Sequence, residues 1–214
     1  MMINYFDLSQ TIENSMTYYP GDPKPEIFSV KGQPAPWRVS ELHIGSHTGT
    51  HIDAASHYIE QGWTIDQYPL ERFLVPGIVV PLDGLLADEA IESSRIDAYL
   101  ERLRKGGAIV IRTGWDRYWK QELYLRHPYL APTSAKSLAK AGIGLLGIDA
   151  LNVDSTFLET KHAHEILLGK NILIVENLKG LNQLQAGEIY QFSFLPLALH
   201  ELDGSPVRAV AWKA

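Results

Sequence analysis

Residues 47–57 read His-Thr-Gly-Thr-His-Ile-Asp-Ala-Ala-Ser-His, so three imidazoles and one carboxylate share a single short stretch. Packed interiors rarely hold several titratable groups together unless each is paired or ligating. Neutral imidazole and carboxylate are nitrogen and oxygen donors suited to Zn²⁺, Mn²⁺ or Fe²⁺. We read the stretch as a metal-binding cluster. A His-rich surface loop, broken up by Gly49 and its flanking threonines, is the competing reading.

The spacing has geometric content. In a straight strand His47 and His51 would share a face, yet stand roughly 13 Å apart at about 3.3 Å per residue. That is too far for two ligands of one ion. A helix would make them i,i+4 neighbours, but Thr48-Gly49-Thr50 is a poor helix interior. No Glu follows the first His, so the helical zinc-protease motif is absent. The segment must bend or bulge, with Gly49 supplying unusual dihedrals or room for an ion.

The elements that position this cluster read as α/β. Glu26–Val30 and residues 37–44 look extended, and the second delivers the chain to the cluster. Residues 78–82, 108–111, 145–149 and 171–175 are apolar runs of buried-strand type. Residues 94–103 and 133–141 read as helices, the first with Ser94 and Asp97 as cap and first-turn acid. A short helical stretch starts at His164 and stops at Gly169. Alternating helices and apolar strands argue α/β, and the strand-rich start argues for added antiparallel pairing.

Glu176 directly follows the strand at 171–175, a common place for a ligating or catalytic group. A solvated strand-end carboxylate is the alternative, but no Lys or Arg occurs between residues 171 and 178 to pair with it. His127 and His200 read as non-ligands. There is no Gly-x-Ser-x-Gly elbow, no phosphate loop and no dinucleotide fingerprint. The 214 residues are 45% hydrophobic and 21% charged, ordinary for one soluble domain spanning 1–214. A net charge of −6 with no basic stripe argues against nucleic acid and anionic membranes as partners. The chain has no cysteine, which removes disulfides and thiolate chemistry. With no export signal at the N-terminus either, a cytoplasmic protein is expected.

Residues 47–57 resemble the His-x-Gly-Thr-His-x-Asp-x-x-x-His signature of the cyclase family, metal-dependent hydrolases that include kynurenine formamidases and isatin hydrolases. Residues 164–178 are similar to that family's second metal segment. Tyr19-Pro20-Gly21-Asp22, the run from Gly147 to Asp154, and the closing Asp203-Gly204-Ser205-Pro206 are similar as well. The resemblance implies a swivelling β/β/α fold around a barrel-like mixed sheet flanked by helices, assembled as homodimers or homotetramers. It implies that His47, His51 and Asp53 bind one divalent ion, zinc first and manganese second. A second ion would take Asp53, His164 and Glu176, with Asp53 bridging. His57 would carry the proton, and Tyr19, standing where kynurenine formamidases carry Trp, would stack on substrate. Ala55 stands where many members have Pro. The implied reaction is hydrolysis of a small aromatic amide or formamide by metal-activated water. Cyclisation or dehydration on the same site, or metal binding without catalysis, are the competing outcomes.

Overall fold

The structure, a computed structural model, describes residues 3–213. In chain order its strands are β1 (Tyr5–Asp7), β2 (Glu26–Ser29), β3 (Ser40–His43), β4 (His51–Asp53), β5 (Leu74–Pro81), β6 (Ala90–Ile91), β7 (Ala108–Arg112), β8 (Tyr129–Leu130), β9 (Leu145–Ile148), β10 (Leu173–Glu176), β11 (Ile189–Ser193), β12 (Gly204–Pro206) and β13 (Val210–Trp212). The helices are α1 (Asp97–Leu100), α2 (Pro132–Ala141) and α3 (His162–Leu168). Nine strands form one sheet in the order β1-β13-β11-β5-β7-β9-β10-β4-β12. The run β5-β7-β9-β10 is parallel, and both margins are antiparallel. The sheet curls into half a barrel with few helices against it.

Alternation along the central strands makes two cores. Ile78, Val80, Ile109, Ile111, Leu146, Ile148 and Ile174 pack on one face against Leu138 of α2 and Leu167 of α3. Val79, Val110, Leu145, Leu173 and Val175 pack on the other with Phe192 and Phe194. Both sets are buried, as continuous apolar strands in a parallel sheet require. The expected β2–β3 pairing is present, as a separate antiparallel hairpin with β3 fully exposed.

Two local expectations fail for physical reasons. The helix expected over 94–103 shrinks to a 3-10 turn at Ser93–Arg95 and the single turn of α1. Asp97 stands as the first-turn acid of α1, its carboxylate accepting the Ser137 hydroxyl at 2.5 Å, while Ser94 falls inside the 3-10 turn and is not the cap. Only Ile96 of the segment is fully buried, so a longer helix would gain little core. The strand expected from Ile78 starts at Leu74 and runs through Pro76-Gly77. Pairing with β7 begins only at Gly77, so Pro76 sits where the strand is engaged by β11 alone. Gly77 is needed there, since a Cβ would lie 2.6 Å from the Ala108 carbonyl oxygen.

His127 is fully buried, remote from the cluster, and neutral. Its Nδ1 donates to the Pro128 carbonyl at 3.0 Å, so Nε2 accepts the Thr156 hydroxyl at 2.8 Å. Burial lowers its pKa to about 4. The unfolded ring titrates near 6.5. Its contribution is therefore present above that value and lost as pH falls from about 6.5 to about 4. At ~1.4 kcal/mol per pKa unit this amounts to about 3 kcal/mol. His127→Gln, which keeps a donor and an acceptor, should flatten the fall in urea-unfolding stability over that window by this amount. Parallel pH profiles for wild type and variant would refute the assignment.

Candidate metal centre

β4 carries the cluster into the sheet. It lies between β10 and β12, antiparallel to both. The β10 register sets Glu176 directly opposite His51 and Ile174 opposite Asp53. Ile52 and Val175 turn to the Phe192 core, while Ile174 turns to the helices. His51, Asp53 and Glu176 therefore share the face that α3 covers. His164, in the first turn of α3, lands on them: its Nε2 is 3.6 Å from Asp53 Oδ2 and 3.5 Å from Glu176 Oε1. Ligand-type atoms of Glu176, Asp53 and His164 all lie within 4.8 Å of one another.

The bend expected before β4 is at Gly49, whose φ of +66° is left-handed. It folds His47 back, so the His47 and His51 rings are 5.0 Å apart and edge-on. His47 Nδ1 reaches Asp53 Oδ1 at 2.8 Å. The next 3-10 turn, Ala55–His57, stacks His57 at 4.0 Å from His47.

Each inner imidazole is gripped from outside by an acceptor. His51 Nδ1 donates to the Gly49 carbonyl at 2.8 Å. His164 Nδ1 bonds Asp154 at 2.9 Å, and His47 Nε2 bonds Asp203 at 2.9 Å. The opposite nitrogen of each ring points toward Asp53. Such outer acceptors are what fix ring orientation around metals. The family resemblance extends over the Asp154 and Asp203 segments but implies no site role for either residue. Asp154 also accepts the Ala163 and His164 backbone N–H groups at the start of α3, so one carboxylate anchors both the helix and its imidazole. Asp203 also holds His57 Nδ1 at 3.1 Å, making a third cluster of His47, His57 and Asp203. Nothing in local spacing marks Asp203, because it reaches the site through the pairing of β12 with β4.

Charge balance decides what the cluster can hold. Asp53, Asp154, Glu176 and Asp203 face four imidazoles, and no Lys or Arg lines the cavity above them. Burial raises the Asp53 pKa, but His51, His164 and His47 outweigh it and hold Asp53 well below the usual carboxylate range. Burial raises Glu176, and the Asp53 charge raises it further. Burial lowers His47 and His164, yet their carboxylate partners bring each up to about 10. Hydrogen bonds from His47 and His57 depress Asp203. Asp53 Oδ2 is sealed from solvent and has no hydrogen-bond partner among the described residues. With Nδ1 of His51 committed to Gly49, its Nε2 faces Asp53 at 3.3 Å and Glu176 at 3.5 Å. Imidazole nitrogens and carboxylate oxygens that converge in this way form a donor set that fits a divalent metal ion.

The cavity over the cluster has a volume of about 160 Å³ and is walled by Tyr19, Tyr58 and His57 as well as the ligand-type residues. Tyr58 stacks on His164 at 4.6 Å. His43 stays outside, exposed and paired with Glu41. His200 pairs with Asp66 on the surface. Among the described residues neither they nor His127 joins a ligand-type cluster.

A model of the family described as "Putative cyclase" matches residues 6–155. The chain belongs to the cyclase family. It is 32% identical over 216 residues to kynurenine formamidase of Bordetella avium, covering 98% of each chain. It is 30% identical over 210 residues to that of Delftia acidovorans, covering 96% of this chain and 95% of the other. Isatin hydrolase A of Labrenzia aggregata, solved with benzyl benzoate bound, superposes with a TM-score of 0.88 at 21% identity, covering 99% and 94% of the two chains. The fold is that of the isatin hydrolases. Among the described residues no helix is long and apolar enough to cross a membrane.

Gly204 is the close approach on which His47 depends. A Cβ there would lie 2.8 Å from His47 Cε1 and 2.8 Å from the Ile52 carbonyl oxygen. Backbone on one side leaves the ring as the part that must yield. Gly204→Ala should destabilise the protein by about 1–3 kcal/mol and weaken divalent-metal binding in chelator competition. Wild-type melting and metal affinity would show that His47 is not seated on Gly204.

Proposed function

We propose that this cyclase-family protein is a metal-dependent hydrolase of a small aromatic formamide or amide, as its relatives named kynurenine formamidase suggest. The observation that carries it is the buried Asp53, ringed by His47, His51 and His164, which line an aromatic-walled cavity. His47, His51 and Asp53 would hold one divalent ion, zinc in preference to manganese. Asp53, His164 and Glu176 would hold a second. When bound, such an ion supplies a Lewis acid beside the scissile carbonyl and a water of lowered pKa.

The chain's own groups account for the rest. Asp203 accepts from His57 Nδ1, which leaves Nε2 without a protein hydrogen bond among the described residues. That nitrogen can take a proton from the attacking water and return it to the leaving nitrogen. The return is needed because an amine leaves poorly unless protonated. Tyr19 and Tyr58 offer ring faces on which an aromatic substrate stacks.

Metal analysis of the purified protein, joined to a hydrolysis screen of formyl-anilides and cyclic amides, tests the whole reading. His51→Ala should lose metal and activity together. His57→Ala should keep its metal and lose turnover by roughly 10²- to 10⁴-fold. Wild-type turnover in His57→Ala would remove the proton-carrier role. Tyr19→Ala should raise KM for aromatic substrates more than for aliphatic ones. An equal rise for both would place Tyr19 away from the substrate.

A further inference from the structure

Asn177 directly follows Glu176 and lines the same cavity, yet three of its four polar atoms are already committed. Its backbone N–H donates to the Ala150 carbonyl at 2.9 Å. Its carbonyl oxygen accepts the Thr50 hydroxyl at 2.7 Å. Its side-chain Oδ1 accepts the Tyr124 hydroxyl at 2.9 Å. Its φ of +56° is left-handed, a conformation that Asn tolerates better than most residues. The next residue is tied as well, Leu178 N–H donating to Ile148 at 3.0 Å.

Tyr124 decides which way the amide faces. The ring is fully buried, and its hydroxyl makes no other hydrogen bond among the described residues. That hydroxyl has one proton to donate, so it must meet Oδ1 and not the NH₂. Nδ2 is thereby turned away from Tyr124. It makes no hydrogen bond to any described residue, and it is not among the sealed, unsatisfied atoms of the interior. Asn177 is only 2% exposed, and its cavity lining places that opening beside Glu176 and His57. The fold has clamped a neutral N–H donor in place and left it unused.

We propose that Asn177 Nδ2 donates a hydrogen bond to the carbonyl oxygen of the scissile amide. This rests on the hydrolase reading above. As the water oxygen bonds to the carbonyl carbon, the π pair moves onto the carbonyl oxygen and the water proton passes to His57. As the carbonyl re-forms, the C–N bond breaks and that proton goes to nitrogen. Asn177 gains and loses no proton; its hydrogen bond tightens while the oxygen carries charge. A preorganised donor aimed at developing charge contributes mostly to turnover and little to ground-state binding.

The test uses metal-loaded protein and an aryl formamide. Asn177→Asp keeps the acceptor for Tyr124 and tolerates the backbone conformation, but removes the donor. The double variant Asn177→Gly/Tyr124→Phe removes the donor without adding charge and leaves no orphaned hydroxyl. Both should lose about 10²- to 10³-fold in kcat with KM little changed. Metal affinity of the double variant by chelator competition should match wild type. Isotope-edited infrared of bound, unhydrolysed acetanilide should show a carbonyl stretch that lies lower in wild type than in either variant. Wild-type turnover retained in the double variant, or an unchanged carbonyl band, overturns the assignment and leaves the hydrolase reading standing. Metal-loaded wild type that turns over no aryl formamide or amide overturns both.

Discussion

The buried charge of Asp53 is the constraint around which this fold is organised. A carboxylate taken from water into a sheet interior is costly unless opposite charge or donors surround it. Asp53 is fully buried, and four residues from three parts of the chain close on it: His47 and His51 beside it, His164 on α3, and the strand-end Glu176. None of these groups could sit there without the others. Removing the imidazoles would strand a carboxylate, and removing Asp53 would leave Glu176 and three aligned rings without their common centre. The three-residue strand β4 is central for this reason, despite its length. Its two hydrogen-bonded neighbours, β10 and β12, bring Glu176 and Gly204 alongside.

Precision comes from behind the rings. The Gly49 carbonyl, Asp154 and Asp203 each occupy the outer nitrogen of one imidazole, so every ring keeps one orientation. Asp154 does this while bonding the first-turn N–H groups of α3, where a negative charge is favoured. The orientation of His164 and the docking of its helix are thus one event. Asp203 likewise couples His47 to His57, so the position of a ligand-type ring and that of the proposed proton carrier depend on the same carboxylate.

Local pattern carried the parts of this arrangement that are local. The apolar runs at 108–111, 145–148 and 173–175 are central strands, because burial on both faces leaves a continuous apolar signature. The need for a bend at Gly49 followed from the spacing of His47 and His51, since no straight element could bring them together. Strand order is not local. Nothing between residues 177 and 203 says that β12 returns to the far side of β4, so Asp203 had no visible reason to meet His57. The segment 94–103 misled for the opposite reason. It has a helix-like composition, but the core beneath it accepts only Ile96 completely. Pro76-Gly77 lies inside β5, where pairing with β11 extends beyond the start of β7.

The location of the cavity follows from the parallel core. β7, β9 and β10 all end on one side of the sheet, and open α/β sheets bind ligands beyond such carboxyl ends. There the chain must leave the sheet, and its backbone groups need new partners. At β9 the Asp149 carboxylate accepts the Thr113 and Gly114 N–H groups at 2.7 and 2.8 Å, tying off the end of β7. At β10 the Asn177 N–H turns back to Ala150. These stitches fix the rim while leaving the residues that face the opening, Glu176 and Asn177, free to present side chains. β4 runs the other way, so its first residue, His51, enters beside the last residue of β10. An antiparallel strand laid against a parallel edge thus brings a strand start and a strand end together. That junction gathers imidazole, carboxylate and amide onto one cavity floor without any long loop to hold them.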